Sequence, residues 1–274
     1  MKRIIAPVDF SEAAENAAQY AGNLAAFYGA ELWLYHTYEV IIPVSDVGYP
    51  FVNLNEMQQA AEYELAAFKE RIQSKIKPLV TIKYKAENTT LSEGLTAFCE
   101  ELKPDMVVMG LSGKNALTRF VVGSNTIRTV QQLAYPVLVV PPKADFIPIR
   151  KIGFACDYSK LIATSPIEPL KTVVTDFRAE LFVLNIIYNS TSLSPEGKEE
   201  AIYIAELLKD LKPTYQTILS DDVTNGINWF AEKEKIDWVV VIPQKHKLMD
   251  KIFKRSQTKD LIYHTHLPVL CMHE

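Results

Sequence analysis

The sequence predicts an α/β fold built twice: two tandem five-stranded parallel sheets with helices on both faces. Three observations carry that expectation. The chain repeats itself at a period of about 140 residues, each copy alternates short apolar runs with helical stripes, and the first copy holds a glycine loop between a strand and a helix.

The repeat is legible in four blocks. RIIAPVDFS at 3–11 matches KIGFACDYS at 151–159, and AELWLYHTY at 30–38 matches AELFVLNII at 179–187. EGLTAFCEELKPDMVVM at 93–109 matches NGINWFAEKEKIDWVVV at 225–241, and YPVLVV at 135–140 matches LPVLCM at 267–272. A period of this length is a duplicated domain and too long for a solenoid unit. A chain of 274 residues also suits two cores better than one. The expected domains are 1–143 and 149–274, with a stiff proline-rich link over 141–148 between them.

Each element of the first copy has its own signal. Apolar runs at 3–8, 31–37, 79–84, 106–109 and 137–140 are short and rich in β-branched, leucine and aromatic residues, as buried strands are. Ser11 is a good N-cap with Glu12 in the first turn, followed by the stripe Ala14, Ala17, Ala21, Leu24 and Tyr28. Met57, Ala61, Leu65, Phe68, Ile72 and Ile76 make a second stripe; Leu91 to Leu102 gives a third helix, and Ser124 caps a fourth that runs to about Ala134. Strands alternating with helices require right-handed crossovers and a parallel sheet covered on both faces. The second copy repeats the plan with a shorter second helix, roughly Ser194 to Leu211. Glu39 to Asn55 has two prolines and no clear period, and reads as a mobile loop near the site.

The glycine loop is the most specific chemical signal. From Gly110 the chain reads G-x2-G-x9-G-S, with glycines at 110, 113 and 123 and Ser124 opening the next helix. Glycine permits positive φ and a close backbone approach. Such positions before a helix can aim N–H groups at an anion, and the helix N-terminus adds its free amides and dipole. Lys114 and Arg119 lie inside the x9 segment, where they can neutralise phosphate charge.

Bulk properties exclude several classes. At 48% hydrophobic, 23% charged and net charge −4, split evenly between the copies, the chain offers no basic field for nucleic acid. No apolar stretch is long enough to span a membrane. The short apolar run after Met1 is too brief for a signal peptide, so a cytoplasmic location is expected. Cys99, Cys156 and Cys271 are widely spaced without a C-x-x-C and read as reduced core residues. The five histidines lack metal-ligand spacing, and no metal-binding side-chain set is expected.

The G-x2-G-x9-G-S run, the opening strand ending in Pro7-Val8-Asp9-Phe10-Ser11 and the closing PVLVV together resemble the universal stress protein family, over the whole chain as two tandem copies. The resemblance implies a Rossmann-like sheet of strand order 3-2-1-4-5 in each copy. Its topological switch point lies between strands 1 and 4, where ligands bind at the strands' carboxyl ends. Asp9 and Gly110 would meet there. Members with this motif bind ATP, usually with Mg2+ bridging the phosphates. By resemblance Pro7, Val8 and Asp9 contact adenosine, and Thr37 borders the adenine. Met109, Gly110, Gly113 and Lys114 hold the ribose and inner phosphate. Gly123, Ser124 and Asn125 meet the outer phosphates, with Arg119 nearby.

The implied function is an ATP-binding regulatory protein of the stress response. The alternatives are a slow ATPase or self-phosphorylating enzyme, and a scaffold docking a partner through the second copy. No H-x-G-H or S-G-G-x-D-S motif is present and no catalytic residue is assigned, so an enzyme is not the expectation and slow ATP hydrolysis is its upper limit. In the second copy, Val241 aligned on Val108 puts Pro243 over Gly110, His246 over Gly113 and Arg255 over Gly123, which removes the phosphate loop. The cluster of Lys245, Lys247, Lys251, Lys254 and Arg255 reads as a solvated face. The two copies are expected to pack as an intramolecular pseudo-dimer through the apolar fifth strands, and a homodimer of two whole chains is left open.

Overall fold

The computed structural model describes residues 1–40, 53–76, 78, 80–111, 124–158, 167–187, 193–243 and 254–272. The first copy runs β1 (Arg3–Pro7), α1 (Glu12–Tyr28), β2 (Glu31–Tyr38), α2 (Leu54–Gln73), β3 (Ile82–Asn88), α3 (Leu91–Leu102), β4 (Met106–Gly110), α4 (Ser124–Gln132) and β5 (Val137–Val140). The second runs β6 (Lys151–Ala155), α5 (Ile167–Phe177), β7 (Glu180–Ile187), α6 (Pro195–Leu208), β8 (Thr214–Leu219), α7 (Val223–Glu234), β9 (Trp238–Val241), α8 (Lys254–His264) and β10 (Val269–Cys271).

Local chemistry sets the helix ends. Ser11 caps α1 by accepting from the Ala14 amide at 3.2 Å, and Gly29 closes it in the left-handed region at φ 61°. Thr90, Ser194 and Asp222 cap α3, α6 and α7 in the same way. The second helix of the second copy continues as a 3-10 turn over Lys209–Leu211.

The strands lie in the order β3-β2-β1-β4-β5-β10-β9-β6-β7-β8. Each half therefore has the order 3-2-1-4-5, and pairing inside each half is parallel. The halves join antiparallel, Val139 opposite Val269, Leu138 opposite Leu270 and Val137 opposite Cys271. The two sheets expected from the sequence are thus one continuous sheet of ten strands. Two uncovered apolar edges would template aggregation, and pairing removes both.

Helices α1, α2, α5 and α6 cover one face, and α3, α4, α7 and α8 the other; each face is a single apolar cluster that crosses the seam. On the first face the Trp238 indole N–H donates to the Tyr20 hydroxyl at 2.6 Å, both residues being buried. Phe27 of α1 stacks on Phe177 of α5 with ring centroids 4.6 Å apart. The link is tied down as well, since Asn16 Nδ2 donates to the carbonyls of Pro141 and Ala144.

Two element readings need correction. The third strand begins at Ile82 and runs to Asn88, whereas the apolar run pointed to 79–84. As an edge strand it is half solvated, and its later half is polar. Met57 belongs to the exposed first turns of α2, 37% accessible, while Ala61, Leu65, Phe68, Ile72 and Ile76 are buried.

Candidate functional site

The site lies where the strand order reverses, between neighbouring parallel strands β1 and β4. Beyond β1 the chain keeps pairing for one more residue, the Val8 amide donating to the Tyr35 carbonyl at 2.8 Å. The Val8 carbonyl lies 2.8 Å from His36 Nδ1. Asp9 then turns out to solvent, its Oδ1 accepting from the Ser11 amide at 3.1 Å. Phe10 takes φ 61°, a left-handed position that folds the chain sharply into α1. Its ring packs 4.5 Å from His36 and 5.7 Å from Phe68, so a core anchor stabilises the bend.

On the other side β4 ends at Gly110. A Cβ there would stand 2.4 Å from the Ala13 carbonyl oxygen. The absent side chain therefore lets the first turn of α1 close over the end of β4. Gly110 does not have positive φ, so of the two properties of glycine it is the close approach that this position uses. The Gly110 carbonyl accepts from Thr126 Oγ1 at 3.1 Å, which ties the first turn of α4 to the end of β4. The free amides at the α4 N-terminus thereby sit beside the crevice, a favourable place for an anion.

The expected site residues fall into three groups. Asp9, Thr37, Gly110, Ser124 and Asn125 are at strand ends or the α4 N-terminus, and of these Asp9 and Asn125 are exposed. Pro7, Val8 and Met109 are buried, Val8 and Met109 on opposite faces of the sheet, so their side chains belong to the core. Gly113, Lys114, Arg119 and Gly123 lie outside the described residues. The sequence reading missed His36, Phe10 and Thr126, the residues that hold the crevice in shape.

The second copy has the same scaffold with different contents. Asn185 stands at the place of His36, and its Nδ2 donates to the Cys156 carbonyl at 2.9 Å. Tyr158 repeats the positive φ of Phe10 at 51°. Asp105 accepts from the Lys2 and Arg3 amides, and Asp237 accepts from Arg150 and Lys151 in the same manner. These bonds fix the register: Asp237 is the counterpart of Asp105, so Ile242 is the counterpart of Gly110. The expected alignment, with Pro243 over Gly110, is one residue out. Ile242 packs its side chain against the core, where the first copy needs none. His246 lies outside the described residues.

Burial pushes the Cys156 thiol up to about 12, and Cys99 likewise to about 12. All three cysteines are free and buried, as inert core thiols are. No helix among the described residues is long and apolar enough to cross a membrane.

A doubly wound α/β chain with a strand-end crevice at its switch point belongs to the architecture that carries small ligands there. Residues 1–141 match the model of the universal stress protein family, and the chain belongs to that family. A universal stress protein of Methanocaldococcus jannaschii is 34% identical over 152 residues, covering 51% of this chain and 81% of that protein. Among solved structures, a universal stress protein of Archaeoglobus fulgidus is similar with a TM-score of 0.68 at 17% identity, over 99% of this chain and 96% of that one. A functionally unknown protein of Pseudomonas aeruginosa gives 0.64 at 12% identity, over 100% and 92%. Both share the fold across the seam between the copies.

Proposed function

We propose that the first copy binds an adenine nucleotide, ATP with Mg2+, and that the protein is a cytoplasmic nucleotide-binding regulator rather than a fast enzyme. The observation that supports this is the pairing of β1 with β4, whose carboxyl ends lead into Asp9 and to Gly110, with the α4 N-terminus tied to the end of β4 through Thr126. In that crevice Asp9 would hold the nucleoside end, and the α4 amides would face the phosphates. Lys114, Arg119, Gly113 and Gly123 complete the phosphate loop in this reading. No group of three metal-ligating side chains occurs among the described residues, so Mg2+ would be held chiefly by the phosphates, whose charge it neutralises.

The domains in this proposal are 1–143 and 149–274, acting as an intramolecular pair, and only the first binds ATP. Ile242 supports that asymmetry, because it puts a side chain at the position of Gly110. Titration calorimetry on the whole chain should give about one ATP per chain. Asp9→Ala should weaken binding about tenfold, the scale of one lost charge-assisted hydrogen bond. A folded wild-type protein that binds no adenine nucleotide would overturn the reading.

A further inference from the structure

We propose that β8, an edge strand of the sheet among the described residues, is a self-association surface, pairing antiparallel with β8 of a second copy of the chain. The ten-stranded sheet ends in β3 on one side and β8 on the other, and the two edges differ in kind. The β3 edge carries Lys83 and Lys85, ion-paired to Glu31, Glu87 and Glu101, the charged type of edge that resists pairing. The β8 edge reads TYQTIL, six residues without a charge. Within it Tyr215 and Leu219 are exposed hydrophobics, Leu219 at 71%.

The strand is also complementary to itself. Two strands of one sheet related by a two-fold axis must place a residue opposite its own copy. The molecule already does this at its seam, where Leu138 faces Leu270, its own repeat. Centring β8 on Thr217 brings Thr217 against the partner's Thr217 and Tyr215 against the partner's Leu219, so two exposed hydrophobics cover each other. Aromatic–aliphatic and Thr–Thr pairs are among the cross-strand contacts that stabilise sheets. Tyr215 shares a face with Val183, the face that α6 covers. A two-fold axis normal to the sheet puts both α6 helices on that side.

Analytical ultracentrifugation of the nucleotide-free full chain tests this without reference to ATP. The wild type is expected to be a dimer at micromolar concentration. Thr217→Lys sets two lysines face to face on the axis and should raise the dissociation constant about tenfold or more. Thr217→Cys gives an independent reading that keeps the edge neutral. Directly opposed residues of an antiparallel pair lie about 4.5–5.5 Å apart at Cα, within disulfide range, so mild oxidation should link two chains. The native cysteines are buried and should not. A monomeric wild-type chain overturns the proposal, as does a dimer that Thr217→Lys leaves intact and Thr217→Cys does not cross-link.

Discussion

His36 and Asn185 occupy equivalent positions in the two copies and make the same bond, a side-chain nitrogen against the carbonyl one strand over, at 2.8 and 2.9 Å. Different residues converge because the carbonyls of Val8 and Cys156 lie just past the strand ends, where the ladder no longer pairs them. His36→Asn should therefore be tolerated, while His36→Ala should cost about 1–3 kcal/mol for an unpaired, desolvated carbonyl, read by urea denaturation. An equal loss in both variants would assign the effect to the ring's packing on Phe10. Gly110→Ala should destabilise by about 1–3 kcal/mol, because its Cβ would collide with the Ala13 carbonyl; an unchanged urea midpoint would contradict that. Asp9 and Gly110 were legible in the sequence because a short motif carries them. Thr126 and His36 were not: their bonds reach across 16 and 28 residues to backbone atoms, and no spacing rule encodes such a bond.

Among elements, α1 and α2 are joined by a charged clasp. Glu15 of α1 accepts from Lys75 at 2.5 Å and Arg71 at 3.1 Å. The Lys75 hydrogen bond holds the Glu15 carboxyl below its ordinary range, against an opposing push from burial and with further help from the charges of Arg71 and Lys75. A carboxyl depressed in the folded state adds stability that is complete above its unfolded value and is lost as pH falls through the folded one. The wild type should thus lose stability below the ordinary glutamate range more steeply than Glu15→Gln. Parallel acid curves for the two would show that the clasp contributes nothing. Helices were easier to read than edge strands for a related physical reason. The buried stripe of α2 has a period, whereas β3 is read by its neighbour's register, Leu32 opposite Ile82, and beyond Ile82 its own residues are exposed or half-buried without a clean alternation.

At the scale of the whole molecule, the seam joins two repeats into one structure. The β5–β10 ladder continues the sheet, and the Tyr20–Trp238 bond crosses from the helix layer of the first copy to the sheet of the second. Burial pushes the Tyr20 hydroxyl above its ordinary range, so it stays protonated and accepts from the indole through its lone pair. Removing either partner leaves a buried polar group unpaired, at a cost of about 1–3 kcal/mol, while removing both together costs less than the two single losses added. Tyr20→Phe, Trp238→Phe and the double variant should therefore show a favourable coupling between groups 218 residues apart in sequence. The same seam should make unfolding a single event. Trp33 reports on the first copy, and Trp229 reports on the second in both wild type and Trp238→Phe. In urea, both should change at one midpoint, and Tyr20→Phe should move that midpoint for both. Two separated transitions, with Tyr20→Phe shifting only the first copy, would mean that the copies fold independently and the seam is a contact between finished domains.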